Sequence, residues 1–236
     1  MDEMKPGLSL IVPFYNEEAC AGPVVRGTLE ALEEAGLDFE LILVENASSD
    51  GTRRILEEFS GDPRVRLLKL EKNIGYGGAV TEGLAAAAGR HLGFTCGDGE
   101  IDPRDAAKVC RIAICSGEPV CKARRVYRLD GAWRKFLSVA YHLLVGLLFR
   151  VHVTDVNGYP VMMTREAYEA IGLTSRNWVF NVEMLVKARR LGFGILEPDI
   201  LHRKRAGGRS HVSLGTPFVF LAQLLRLRFS DFGAGK

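Results

Sequence analysis

The sequence predicts an α/β fold in which helices cover a mostly parallel sheet, and three observations carry that prediction. Strand-like and helix-like stretches alternate through the first hundred residues. The opening run, Leu8-Ser-Leu-Ile-Val-Pro13, is apolar and β-branched, as in a strand buried on both faces. Polar clusters at 13–17, 45–50 and 97–100 each follow an apolar run. In such sheets ligands bind beyond the carboxyl ends of the strands, so these clusters are expected to converge.

The elements follow in order. After the first strand comes the loop Phe14-Tyr-Asn-Glu17, with Asn16 as a helix cap. A helix is expected from Pro23 to Ala35, with Gly36 just past its end. Phe39 to Val44 is the second strand, and Ser49 or Asp50 caps a helix running to about Phe59. Val65 to Leu70 is the third strand, 73–79 opens a helix that continues through Ala88, and His91 to Cys96 is the fourth strand. The second half is less regular. It offers a short strand at Val120 to Ala123, a helix from Trp133 to Phe149 and a strand-like stretch from Asp155 to Met163. Helices at Arg165 to Ile171 and Asn181 to Leu191, a strand at Ile195 to Leu201 and a helix at Thr216 to Phe229 complete it.

The chain has 236 residues, enough for one sizeable core, and is 47% apolar and 25% charged. A net charge of +2 argues against nucleic-acid binding driven by overall charge. The acidic start argues against a signal peptide. The five cysteines are scattered without a CxxC pair, which speaks for a reducing compartment and small buried hydrophobes.

The turn after the first strand lacks the glycines of a dinucleotide fold, and no Walker A loop is present. What remains is a set of carboxylates and amides. Glu17, Glu45, Asn46 and Asp50 can hydrogen-bond a base or a ribose. Asp98 and Glu100, two apart in an extended stretch, would share one face and offer hard oxygen ligands to Mg²⁺ or Mn²⁺. The same residues also suit a plain turn.

Four motifs in order, Ile11-Val-Pro-Phe-Tyr-Asn-Glu17, Val44-Glu-Asn-Ala-Ser-Ser-Asp-Gly-Thr52, Asn73-Ile-Gly-Tyr-Gly-Gly-Ala79 and Cys96-Gly-Asp-Gly-Glu-Ile-Asp-Pro103, resemble those of family 2 glycosyltransferases. The second half is similar to the polyprenyl-phosphate and dolichyl-phosphate mannosyl- and glucosyltransferase branch, through Arg124-Arg125, Arg134 with Ser138, Asp155 with Asn157-Gly158, and 205–211. The resemblance implies a GT-A, Rossmann-like fold with an interfacial helix in the second half. It implies an inverting enzyme that moves a hexose from GDP-mannose or UDP-glucose to a polyprenyl or dolichyl phosphate.

Residue by residue, the resemblance sets Pro13, Tyr15, Asn16, Glu17, Glu45, Asn46 and Gly97 around the nucleotide. Asp98, with Glu100, would hold the divalent metal on the diphosphate. Arg125 or its neighbour Arg124, Arg134 and Ser138 would hold phosphate oxygens in the reaction centre, and Arg205 and His211 would lie on a loop near the donor. Asp98, Arg125, Arg134 and Ser138 form the catalytic set. The chain departs from the family pattern at Cys96 and Asn46, each in place of Asp, at Pro160 in place of Arg, and at His211 in place of Lys.

A phosphate monoester acceptor already carries negative charge at pH 7, so it needs cations and positioning rather than a base. Arginine forks suit that task. A hydroxyl of a glycan or lipid, the alternative acceptor, needs a general base, for which Asp155 and Glu183 are the candidates. A catalytically lapsed nucleotide-sugar binder is the other alternative.

The helix from Trp133 is apolar on most sides from Phe136 to Phe149, too short to span a bilayer. It suits either a core helix or one lying in a membrane interface. The expected organisation is a catalytic domain at 1–212, with a nucleotide-sugar half at 1–104 and an acceptor half at 105–212, then an amphipathic helix and tail at 213–236. The expected location is cytoplasmic and peripheral, on the cytoplasmic face of a membrane.

Overall fold

The computed structural model describes residues 5–126, 132–151, 153–177, 179–201 and 216–229, with backbone alone at 132–138 and 216–219. A seven-stranded sheet forms the centre, in the order β3-β2-β1-β4-β7-β5-β8. Its first half is β1 (Leu8–Phe14), β2 (Phe39–Glu45), β3 (Val65–Lys69) and β4 (His91–Phe94), all parallel. β7 (Val161–Thr164) enters antiparallel between β4 and β5 (Val120–Lys122), and β8 (Ile195–Leu196) pairs parallel with β5. A separate two-stranded sheet joins β6 (Arg124–Val126) to β9 (Asp199–Leu201).

Side chains alternate across the sheet and feed two cores. Leu8, Leu10, Val12 and Phe14 of β1 face α1 (Glu18–Glu34), α2 (Thr52–Glu57) and α4 (Pro103–Ser116), whose Val25, Leu32, Leu56 and Val109 are buried with them. Ile11, Ile42, Val44 and Phe94 face the other way. There they pack with α3 (Gly75–Ala86), α6 (Arg165–Ile171) and α7 (Phe180–Arg190). α5 (Ala132–Phe149) and α8 (Thr216–Phe229) join this second core through Val145, Leu224 and Leu227.

Several boundaries differ from the sequence expectations. α1 begins five residues earlier and carries Pro23 inside it. Asn16 does not cap that helix; its side chain reaches the 48–49 turn instead. α4 was not anticipated, although its signals are conventional: Asp102 accepts the Arg104 N–H, Pro103 starts the helix and Gly117 closes it in the left-handed region. The stretch from Asp155 is a turn up to Pro160, and only Val161–Thr164 is strand. Residues 195–201 split at Pro198 into two strands of different sheets, because proline cannot continue the ladder. Cys20, Cys110 and Cys121 are buried, whereas Cys115 is exposed.

α5 reconciles its two readings. Tyr141, Leu144, Val145 and Leu148 turn inward, while Val139, Leu143 and Leu147, spaced four apart, form an exposed stripe. α8 repeats the arrangement with Leu221, Leu225 and Phe229 exposed, and Phe220 meets Tyr141 at a 5.8 Å ring separation. Among the described residues no helix is long and apolar enough to cross a membrane.

Candidate active site

The chain runs outward from β1 to β2 and β3, then returns to place β4 on the other side of β1. A crevice at such a reversal is where α/β sheets bind ligands. The loops leaving β1 and β2 are sewn together there. Asn16, at φ 54°, donates its N–H to Ser48 Oγ at 3.1 Å, and its Oδ1 accepts the Ser49 N–H at 2.8 Å. The Glu17 N–H reaches Thr52 Oγ1 at 2.8 Å. Buried Asn46 ties in the third motif: its Oδ1 accepts the Ile74 N–H at 3.0 Å and its Nδ2 donates to Asn73 Oδ1 at 3.1 Å. Glu45 is wholly buried, accepting the Ser48 N–H at 2.5 Å and Arg53 Nε at 2.8 Å, so its carboxylate holds the turn. Pro13 is buried at the end of β1, and Tyr15 is half-buried beside it.

The fourth motif presses against the first at Gly97. A Cβ there would lie 2.6 Å from the Phe14 ring and 2.7 Å from the Pro13 carbonyl oxygen, so only glycine lets the two strand ends meet. Beyond it the chain turns rather than extends, as Gly99 takes φ 74° and Asp98 Oδ1 accepts the Glu100 N–H at 3.1 Å. Burial, with the Asp98 and Glu100 charges adding to it, pushes the Cys96 thiol well up. Cys96 therefore stays protonated and is no ligand for a hard cation. Among the described residues no group of three His, Cys, Asp or Glu side chains gathers as a metal site. Mg²⁺ commonly uses one or two carboxylates and completes its shell with water and substrate phosphates, and the Asp98–Glu100 turn fits that demand.

Facing this edge is a buried polar network from the later half. Arg125 Nε and Nη2 fork onto Asp155 at 2.7 and 2.9 Å, both side chains largely buried. Burial alone would raise the Asp155 pKa, but the Arg125 fork and the Arg125 and Lys122 charges hold it well below the usual carboxylate range. His142 Nε2 lies 3.0 Å from the Val156 N–H, which donates to it, and 3.5 Å from Asp155 Oδ1. The Cys96 thiol approaches Tyr76 Oη at 3.9 Å, the Tyr76 and Tyr159 rings meet edge-on at 5.5 Å, and Tyr159 Oη accepts Asn181 Nδ2 at 2.6 Å. Contacts from Cys96 through Tyr76, Tyr159, Asn181 and Asn157 to Asp155 link the end of β4 to the Arg125 network.

Arg124 sits on the opposite face of β6, partly exposed, with its Nη2 2.8 Å from Asp199 Oδ2. Glu183 is buried on α7 and accepts from the Thr174 and Ser175 N–H groups, Thr174 Oγ1 and Lys187. Despite its burial, those donors lower its pKa. The side chains of Arg134 and Ser138 on α5, and all of Arg205 and His211, lie outside the described residues.

Gly158 lets the 155–158 turn seat against β5 and β6, because a Cβ there would overlap the Ala123 carbonyl oxygen. Gly158→Ala is expected to destabilise the fold by roughly 2–3 kcal/mol, as overpacking against backbone does. A urea midpoint equal to that of the wild type would contradict this seating.

Sequence reasoning gave His142 no role and passed over Lys122, Tyr76, Tyr159 and Asn181. The available signal was Lys122, a single cation inside the apolar run 120–123. It is fully buried, its Nζ donates to the Asp155 carbonyl, and burial lowers its pKa to about 8 against the raising effect of Asp155 and Glu197. Because the folded value lies below the ordinary 10.5, unfolding takes up a proton between those pH values. Stability therefore gains from this group as pH rises through that window, and the gain is absent below pH 8. Lys122→Met should remove that gain, roughly 3 kcal/mol at about 1.36 kcal/mol per pKa unit. The wild-type-minus-variant difference in urea unfolding should rise from pH 8 to 10.5, and a constant difference would contradict it.

Comparison with known proteins adds three kinds of likeness. The family model described as Glycosyl transferase family 2 matches residues 9–172. A dolichyl-phosphate beta-glucosyltransferase of Dictyostelium discoideum is 26% identical over 210 residues, covering 80% of this chain and 64% of that protein's own length. The mouse protein of the same name is 26% identical over 94% of this chain and 75% of its own length. A dodecaprenyl-phosphate galacturonate synthase of Rhizobium johnstonii is 27% identical over 94% of this chain and 66% of its own length. Among solved structures, glucosyl-3-phosphoglycerate synthase of Mycobacterium tuberculosis with Mn²⁺, UDP and glucosyl-3-phosphoglycerate superposes with a TM-score of 0.73. It is 19% identical, over 94% of this chain and 80% of that one. A mannosyltransferase of Pyrobaculum calidifontis with GDP-Man and Mn²⁺ gives 0.62 at 19% identity, over 96% of this chain and 64% of that one.

Proposed function

Because the chain belongs to glycosyl transferase family 2 and has the GT-A fold, we propose that it is an inverting hexosyltransferase whose acceptor is a polyprenyl or dolichyl phosphate. One observation carries the choice of acceptor. Asp155 and Glu183, the carboxylates a hydroxyl acceptor would need as base, are each buried among donors and held deprotonated with lowered proton affinity. A general base works best with a pKa near the operating pH, and neither group meets that condition. A phosphate monoester needs no base. The relatives that act on dolichyl and dodecaprenyl phosphates support the same acceptor class.

The roles follow from the geometry. The loops at 13–17 and 45–46 form a preorganised wall for the nucleotide, since their polar groups already hold one another in place. Asp98, with Glu100 beside it, would hold Mg²⁺ or Mn²⁺, which supplies positive charge to the departing diphosphate. Arg125, fixed by Asp155, sets a cation across the crevice from that turn and offsets repulsion between the acceptor phosphate and the leaving group. Arg134 and Ser138, four apart on α5, are assigned to the acceptor phosphate, and Arg124, Arg205 and His211 to the donor side. The exposed stripes of α5 and α8 seat the protein peripherally on the cytoplasmic face of a membrane, where such a lipid resides.

The experiment is a donor screen with purified protein, Mn²⁺ and labelled UDP-glucose or GDP-mannose against polyprenyl phosphate in detergent. The glucosyl transfer named for two relatives makes UDP-glucose the first donor to test. Labelled lipid with at least one donor is expected. Nucleotide binding without transfer over a broad panel of acceptors would reject the proposal in favour of a binding protein.

A further inference from the structure

The far end of α5 holds a recess of about 570 Å³ that the catalytic reading does not use. Leu147, Phe149 and Val186 supply apolar walls, and Arg150, Arg190 and Arg228 bring three guanidinium groups to it. No carboxylate is among the described residues that line it. Three elements converge to make this cluster: the residue closing α5, the last turn of α7 and the last turn of α8.

Arg150 takes a backbone conformation that ordinarily selects glycine. Its φ is 55°, and its N–H closes the helix on the Gly146 carbonyl at 2.8 Å. A non-glycine residue there is disfavoured, so the cation is held against local preference.

The recess opens where the two exposed stripes end. Leu143 and Leu147 run toward it along α5, and Leu225 and Phe229 run toward it along α8, with Leu147 and Phe229 80% and 82% exposed. Arginines beside a wide apolar face fit one class of partner, a bilayer whose surface carries phosphate diesters. A free anion would leave the apolar stripes unexplained, and an apolar protein partner would leave the Arg150 and Arg228 charges unanswered. None of Arg150, Arg190 and Arg228 belongs to the network around Arg125 and Asp155.

We propose that this recess binds the headgroup of an anionic phospholipid, with the acyl chains against the stripes of α5 and α8, so that anionic lipid orients the enzyme on the membrane. The inference rests on the reading of the protein as a lipid-phosphate transferase and adds a lipid that is not its substrate.

The test is co-sedimentation of the full chain with vesicles of phosphatidylcholine alone or mixed with phosphatidylglycerol, without donor or acceptor. The wild type is expected to prefer the phosphatidylglycerol vesicles. Arg150→Gly combined with Arg228→Gln should lower that binding by roughly 30-fold, taking about five-fold for each cation near an anionic surface. Glycine suits φ 55°, so this variant keeps the end of α5 intact. Its transfer to a short polyprenyl phosphate in detergent should equal the wild type's, which tests the enzymatic reading separately. Equal binding to both vesicle types, or a preference the double variant retains, would overturn the lipid site even if transfer in detergent stands. A chain that ignores vesicles and is dimeric in solution would overturn it too, by giving the apolar face to a second copy.

Discussion

Replacing Asp98 by alanine is expected to lower kcat/KM for sugar transfer by about 10²–10³-fold, a loss of roughly 3–4 kcal/mol of transition-state stabilisation. The reason is the poverty of the turn that carries it. Cys96, at the end of β4, is held protonated by burial and by the carboxylates near it, so it cannot substitute. Glu100 is the carboxylate beside Asp98 in the same turn, and a single carboxylate binds a cation weakly. Calorimetry with Mn²⁺ and UDP should show weakened nucleotide binding alongside the loss of turnover. Because Asp98 is partly exposed and its Oδ1 accepts the Glu100 N–H within its own turn, the variant should fold as the wild type does. Unchanged turnover would remove Asp98 from the diphosphate.

Asp155→Ala should cost about 3–5 kcal/mol of stability, the usual result of leaving one member of a buried ion pair without its partner. In a chain of this length that is a fall in Tm on the order of 10 °C. Asp155 takes two side-chain bonds and the backbone N–H of Arg125, and it also accepts the Asn157 N–H at 3.3 Å. Removing both charges, as Asp155→Ala with Arg125→Met, should recover part of the loss, since the buried Arg125 cation is then no longer stranded. The double variant should nevertheless transfer no sugar, because the cation facing the Asp98 turn is gone. Additive losses of stability in the two single variants would contradict a coupled pair.

The convergence of strand ends was legible because it follows from order and handedness alone. Once 8–13, 39–44 and 91–96 read as parallel strands, their following loops had to share one edge, and Asn16, Asn46 and Gly97 are in fact neighbours through the hydrogen bonds and contacts of those loops. What escaped the sequence was set by partners distant along the chain. Arg125 and Asp155 are 30 residues apart, so nothing local marks the arginine as one half of a buried pair. His142 looked like a polar interruption of an apolar helix, and only the turn at 155–156 gives it something to bind. The strand read from Asp155 onward failed for a related reason. Its apolar residues suit a strand, but Gly158 and Pro160 serve a turn that brings Asp155 to Arg125. α4 is marked at its ends by Asp102-Pro103 and Gly117, but its start merges with the acidic turn that precedes it.

The central claim is that a crevice with the Arg125 cation on one side, and with neither Asp155 nor Glu183 poised as a base, serves an acceptor that brings its own negative oxygen. A matched pair of acceptors tests it most directly: polyprenyl phosphate and the corresponding polyprenol, offered separately with the same labelled nucleotide-sugar. Labelled product from the phosphate and none from the alcohol is the expected result. Product from the alcohol at a comparable rate would require a base that deprotonates a hydroxyl, and would contradict the account.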